Sequence, residues 1–126
     1  MGHAVFVRCP HGHARVARID ATAAMARPGI LAVLTARELA ADGIGGLATP
    51  VDLKRPDGKA APSTARPLLA DAIVRHLGEP VVLIVAASLA EGLDAAALVE
   101  VDYVPLPAVT TCREALSPGE IGRAHV

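Results

Sequence analysis

The sequence predicts a mixed α/β (α+β) domain made of short strand–helix–strand units around a long central loop. Three observations predict it. Strand-length apolar runs recur at Ala4 to Arg8, Ile30 to Leu34 and Pro80 to Ala87. Hydroxyl residues stand three positions before a glutamate at Thr35/Glu38, Ser88/Glu91 and Thr111/Glu114. In that capping-box spacing the hydroxyl accepts from the N3 amide and the glutamate reaches back to the N-cap amide. The chain has 126 residues, 52% hydrophobic and 20% charged, enough for one globular domain with a real core.

In chain order, Ala4 to Arg8 (A-V-F-V-R) reads as a strand that stops at Cys9-Pro10, because proline cannot donate to a ladder. Ala14 to Ile19 alternates, with Arg15 and Arg18 at its polar positions. Asp20 then opens a short helix that Pro28-Gly29 ends. Ile30 to Leu34 is continuously apolar, the pattern of a strand buried on both faces. Gly43 to Pro67 holds four of the 11 glycines and four of the 10 prolines, so it reads as the long loop, with a turn at Pro56-Asp57-Gly58. Pro80 to Ala87 is the most hydrophobic strand and feeds the best helix. There Leu89, Leu93, Ala96 and Ala97 fall on one stripe, expected to face the core. Val99 to Val104 alternates again, and strand, helix and strand read as one compact α/β unit.

Several function classes are excluded by composition. The net charge is -1, and the chain has one Phe, one Tyr and no Trp. A nucleic-acid binder needs a basic stripe and, for single strands, stacking aromatics. Part of the aromatic poverty follows a GC-rich codon bias: the chain has no Asn, no Gln, and ten Arg against two Lys. The longest apolar run, Val81 to Ala87, is far short of the roughly 20 residues that span a bilayer, and no leader pattern is present. Two lone cysteines, Cys9 and Cys112, make no disulfide framework, so a reduced, cytoplasmic protein is expected.

Candidate chemistry is sparse. Cys9, His11 and His13 alternate along an extended segment and carry zinc- or copper-type donors, but Pro10 and Gly12 interrupt the strand and no fourth ligand follows at metal spacing. Gly43-Ile44-Gly45-Gly46 superficially resembles a dinucleotide loop; it follows a helix rather than a strand, so helix termination at Gly43 is the better account. Ser63, Ser88 and Ser117 lack a nucleophile elbow, and Ser88 is already a cap. Cys112 stands at a helix N-terminus with no histidine near in sequence, and a buried or inert thiol is expected. Glu79 lies in the turn after His76 and reads as a solvated or hydrogen-bonded surface group.

The order of several blocks carries a family resemblance. F-V-R-C-P-H-G-H-A-R-V-A-R-I-D (Phe6 to Asp20) is followed by A-x-x-x-P-G-I-L-A-V-L-T (Ala24 to Thr35). R-P-L-L-A (Arg66 to Ala70), V-R-H-L-G-E-P-V (Val74 to Val81) and D-A-A-x-L-V-E-V-D-Y-x-P-L-P-A-V (Asp94 to Val109) complete the series. This arrangement resembles the α/β hammerhead domain of the large, molybdopterin-binding subunit in the xanthine dehydrogenase, aldehyde oxidase and carbon monoxide dehydrogenase family. The resemblance implies an oxidoreductase whose molybdenum–pterin centre lies in later domains, with [2Fe–2S] and FAD in partner subunits or domains. It implies no catalytic, cofactor-binding or metal residue in this chain. Arg8, His11, His13 and Arg15, with Gly78, Glu79 and Pro80, become architectural or interface residues, and the chain by itself is expected to be inactive. Cys9 stands where the family usually has serine, and Gly12, where it usually has alanine, is expected to loosen the strand end.

The same resemblance suggests a domain over residues 1–119, with Met1 an internal methionine of a longer subunit. Residues 120–126 depart from the pattern and are expected to be a non-native or frayed tail; Ile121 to Val126 can be encoded by ATC-GGA-AGA-GCA-CAC-GTC, which resembles a sequencing adapter. Two other readings stand beside the first: a free-standing hammerhead scaffold domain, and a small metal-binding protein using Cys9, His11 and His13.

Overall fold

The computed structural model describes residues 1–47, 54–60 and 66–118. Its strands follow the apolar runs: β1 (His3–Arg8), β2 (Ala14–Asp20), β3 (Ile30–Thr35), β4 (Ile73–Val74), β5 (Pro80–Ala86) and β6 (Glu100–Pro105). Its helices are α1 (Thr22–Met25), α2 (Ala36–Ala41), α3 (Leu89–Ala96) and α4 (Cys112–Ala115). The strands form two three-stranded antiparallel sheets, in orders β1-β5-β3 and β4-β2-β6. The mixed class expected from sequence is therefore correct, but the expected β5–α3–β6 unit is not. Both edges of β5 are taken, by β1 and β3, so α3 carries the chain across to the second sheet, where β6 pairs with β2.

One core joins the sheets. Val5, Val82 and Ile84 of the first sheet pack with Ala14 and Val74 of the second, with Val16, Ile19 and Tyr103 half-buried against them. Ile19 and Val16 share the inner face because a bulge between Val16 and Arg18 shifts the register. Without it, residues three apart would face opposite ways.

Two burial expectations are overturned. β3 is an edge strand: Ile30 and Val33 pack on the core, while Leu31 is exposed. On α3 the buried residues are Gly92 and Ala95; of the expected stripe only Ala96 packs against the core, while Leu89 and Leu93 are 52% and 54% exposed. The helix lies so close to β1 that only small residues fit beneath it. A Cβ on Gly92 would stand 2.7 Å from Val5 Cγ2 and 3.3 Å from Ala86 Cβ.

The local signals fare better. Thr35 and Thr111 make full capping boxes; the Glu38 and Glu114 carboxylates accept from the Thr35 and Thr111 amides at 2.7 and 3.2 Å. At Ser88 only half the box forms. Its hydroxyl accepts from the Glu91 amide at 3.3 Å, but the Glu91 carboxylate accepts from that hydroxyl, at 2.7 Å, rather than from the Ser88 amide. Asp20 ends β2 instead of starting a helix, although its carboxylate accepts from the Thr22 amide at 3.0 Å. Gly43 terminates α2 with φ +71°, its amide bonded to Ala40 and that of Ile44 to Leu39, a double closure that needs the left-handed conformation. The Pro56-Asp57-Gly58 turn is closed by Arg55 amide to Lys59 carbonyl at 2.8 Å. The rest of the long loop (48–53, 61–65) and the tail (119–126) lie outside the described residues.

These caps give the chain an acid limit. The Thr35 hydroxyl and amide hold the Glu38 carboxyl below its ordinary 4.5, and the Thr111 hydroxyl with the Thr110 and Thr111 amides does the same for Glu114. A carboxyl depressed on folding contributes stability above its unfolded value, and that contribution is lost as pH falls through the folded value. Thermal melts from neutral pH downward are expected to fall below pH 4.5. Thr35→Ala should lower stability by about 1 kcal/mol at neutral pH and flatten that acid slope; an unchanged slope would contradict the role of Glu38.

Candidate functional site

The residues singled out by sequence gather mostly where the turn between β4 and β5 meets the end of β1. Gly78 takes φ +79°, which favours glycine, and so presents its amide to the Cys9 carbonyl at 2.9 Å. The Cys9 amide returns a bond to the Glu79 carbonyl at 3.0 Å, and the Arg8 guanidinium donates to the Gly78 carbonyl at 2.9 Å. Glu79 is buried, 5% exposed, and its carboxylate accepts from the Arg75 amide at 2.6 Å, tying the turn to itself. It is not the surface group that sequence suggested. The Pro80 carbonyl accepts from the Ala70 amide at 2.8 Å, anchoring the chain that enters β4. Arg8, Gly78, Glu79 and Pro80 thus form one latch across 70 residues of sequence.

The histidines have other partners. His11 stands edge-on to Tyr103, ring centroids 5.5 Å apart. His13 Nδ1 lies 2.8 Å from the Pro107 carbonyl, which only accepts, so Nδ1 carries the proton. Arg15 is exposed on β2, the central strand of its sheet, where it pairs with Ile73 of β4. Cys9 is 1% exposed, and its sulfur accepts from the His11 amide at 3.4 Å. The Tyr103 hydroxyl is buried with no hydrogen-bond partner among the described residues; burial, reinforced by the neighbouring Cys9 sulfur, pushes it up to about 12.

A surface groove of about 280 Å³ runs beside this region, lined by Gly12 and His13, by Arg75, His76 and Leu77, and by the segment after β6. Gly12 has no positive φ, and a Cβ there would meet only the Ala108 Cβ, at an ordinary 3.5 Å. Alanine fits where sequence expected glycine to loosen the chain. Gly12→Ala is expected to stabilise by about 0.4–1 kcal/mol, through a less flexible unfolded chain. Urea denaturation checks it, and a loss of stability would show that the site needs glycine.

Sequence reasoning missed a charge cluster on the second sheet. The Arg18 guanidinium bonds Asp102 at 2.8 Å across the β2–β6 pair, with Asp20 at 3.2 Å and Glu100 at 3.8 Å. The Asp102 hydrogen bond, then its charge, holds Arg18 more firmly protonated. All four side chains are well exposed, so this is a surface network that favours register more than stability. Its signal was the acidic alternation in V-E-V-D-Y-V.

Among the described residues, which exclude Ser63, no reactive set assembles from these parts. Cys9, His11 and His13 do not converge, and among the described residues no three His, Cys, Asp or Glu side chains are placed to hold a metal. Cys112 is exposed on α4, not buried. Ser88 is a helix cap. No helix among the described residues is long and apolar enough to cross a membrane.

Comparison with known proteins follows the same outline. The family described as "Aldehyde oxidase and xanthine dehydrogenase, a/b hammerhead domain" matches residues 1–107. The nicotine 6-hydroxylase large subunit of Paenarthrobacter nicotinovorans is 36% identical over 98% of the chain and 14% of its own length. The carbon monoxide dehydrogenase large chain of Afipia carboxidovorans is 38% identical over 90% of the chain and 13% of its own. Among solved structures, reconstituted CO dehydrogenase from Oligotropha carboxidovorans superposes with a TM-score of 0.80 at 34% identity, over 94% of this chain and 13% of that one. Quinoline 2-oxidoreductase from Pseudomonas putida 86 gives 0.81 at 35% identity, over 91% and 14%.

Proposed function

The chain belongs to the aldehyde oxidase and xanthine dehydrogenase hammerhead family, and from that premise we propose that it is a structural and interface unit of the large subunit of a molybdenum hydroxylase-type oxidoreductase. The unit assigned runs over residues 1–119, in a cytoplasmic enzyme that oxidises an aldehyde, a heterocycle or carbon monoxide. Its partners are the remaining domains of that subunit and the iron–sulfur and FAD subunits. One observation carries the reading: Arg8, Gly78, Glu79 and Pro80 are committed to backbone closure rather than to any reacting group.

A [2Fe–2S] cluster takes four thiolates, whereas this chain has two cysteines, one buried and one exposed on another element. No grouping of metal-binding side chains occurs among the described residues. In this reading the molybdenum–pterin, [2Fe–2S] and FAD chemistry belongs to other domains and subunits, and this chain contributes architecture.

The purified chain is expected to carry no molybdenum, and to leave carbon monoxide, aldehydes and N-heterocycles unoxidised with an artificial electron acceptor. Molybdenum-dependent turnover by the chain alone would overturn the assignment.

A further inference from the structure

The groove beside the latch carries a cation that nothing in the fold answers. Its walls are Gly12 and His13, just before β2; Arg75, His76 and Leu77, in the turn before β5; and residues 107–110, after β6. No Asp or Glu stands among these lining residues. Arg75 is half-buried, and its guanidinium donates to the Ile73 carbonyl at 3.3 Å. Its Nε is shut from solvent and has no partner among the described residues. No carboxylate pairs with that guanidinium among the described residues either. A partly desolvated charge with idle donors is costly until an anion meets it.

The two histidines are placed to add to that charge. His13 Nδ1 lies 2.8 Å from the Pro107 carbonyl, and His76 Nδ1 lies 3.2 Å from the Leu77 carbonyl. A carbonyl only accepts, so each Nδ1 keeps its proton and each ring is held by that bond. A further proton must therefore enter at Nε2, and histidine is the side chain that gains charge between about pH 8 and pH 5. Without it each Nε2 is a lone pair that repels an anion; with it each becomes a charged donor. Two carboxylates touch these walls, and both are engaged by backbone. Glu79 is buried and accepts from the Arg75 amide at 2.6 Å. Glu114 accepts from the Thr110 and Thr111 amides at 3.4 and 3.2 Å. Arg8, on the far side of the turn, donates to the Gly78 carbonyl.

We propose that this groove binds a small oxyanion, a carboxylate or phosphate group, held by Arg75 and the protonated His13 and His76. Affinity then rises as pH falls. The groove's volume of about 280 Å³ stands just under the roughly 300–1,000 Å³ of drug-sized sites, which suits an anion of few heavy atoms. A guanidinium meets either oxyanion with paired N–H groups. A divalent metal on the two Nε2 lone pairs is the opposite occupant, and the Arg75 charge in the same groove disfavours it. This site does not rest on the large-subunit reading, and either can fail alone.

Nitrogen-15 NMR of His13 and His76 in the 126-residue chain tests it, at fixed ionic strength and at about pH 5.5 and about pH 8. Sodium sulfate and sodium acetate are titrated separately, since both probes keep nearly constant charge over that range. Saturable shifts at both histidines are expected at the lower pH, with affinity about tenfold weaker or more at the higher. Tighter sulfate binding assigns a phosphate-type group and tighter acetate binding a carboxylate; either result supports the site. Arg75→Gln should weaken binding about tenfold or more. His76→Gln is the second variant: the side chain is exposed and its ring bonds only the adjacent carbonyl, so the fold does not depend on it. Its affinity should change less with pH than that of the parent. Shifts that never saturate, equal affinity at both pH values, or parent-like affinity in Arg75→Gln would each overturn the proposal. Saturable shifts with zinc chloride and with neither anion would assign the groove to a metal and overturn it too.

Discussion

Gly92→Leu is expected to destabilise the chain by about 3 kcal/mol or more, the upper end of overpacking effects in a well-filled core. Even the first added carbon has no room. It would stand 2.7 Å from Val5 Cγ2, and Val5 is a buried, β-branched residue with a stiff χ1. The Ala86 Cβ, 3.3 Å away, closes the other side. Gly92→Ala separates the two opposing effects. Alanine gains about 1 kcal/mol over glycine in a helix interior, while the clash costs about 1–3 kcal/mol, so a net loss smaller than that for leucine is expected. Val5→Ala should relieve the clash: in a double-mutant cycle it should be less harmful in the Gly92→Ala background than in the parent. Urea unfolding of the four proteins measures it, and a Gly92→Leu chain as stable as the parent would show that α3 does not sit on β1 as described.

Gly92 also shows why sequence misread α3. The leucines at 89 and 93 suggested a conventional apolar stripe, since large side chains usually seek the core. Here the helix rests against β1 and β5 through Gly92 and Ala95, and the leucines are turned outward. Periodicity reports an apolar face but not how close its neighbour comes. The caps at Thr35 and Thr111 and the stop at Gly43 were legible because each is settled within a few residues. The latch was not legible from residue chemistry: its bonds join Arg8 and Cys9 to Gly78 and Glu79 mainly through backbone atoms, which leave no side-chain signature. Only the family resemblance placed those residues in one group. The Arg18–Asp102 pair was half legible, since the acidic alternation of β6 is visible but its pairing with β2 is not.

Ile84→Ala is expected to lower stability by about 2–5 kcal/mol, the range for truncating a buried aliphatic residue, where lost transfer energy and an unfilled cavity add. Ile84 is fully buried, 0% exposed, on the central strand, flanked by Val5 and Val33. The neighbouring Leu83→Ala removes a similar volume from the opposite face, where Leu83 is half-buried between Phe6 and Leu34 and stands outside the core cluster. Its loss should be about 1 kcal/mol, the scale of cross-strand side-chain pairs on a sheet. Two adjacent residues of similar hydrophobicity would thus differ severalfold in weight, for a reason set by strand alternation alone. Denaturant melts of both variants in the isolated chain decide the matter. Equal losses would mean that Leu83, half-buried here, carries as much packing as the fully buried Ile84.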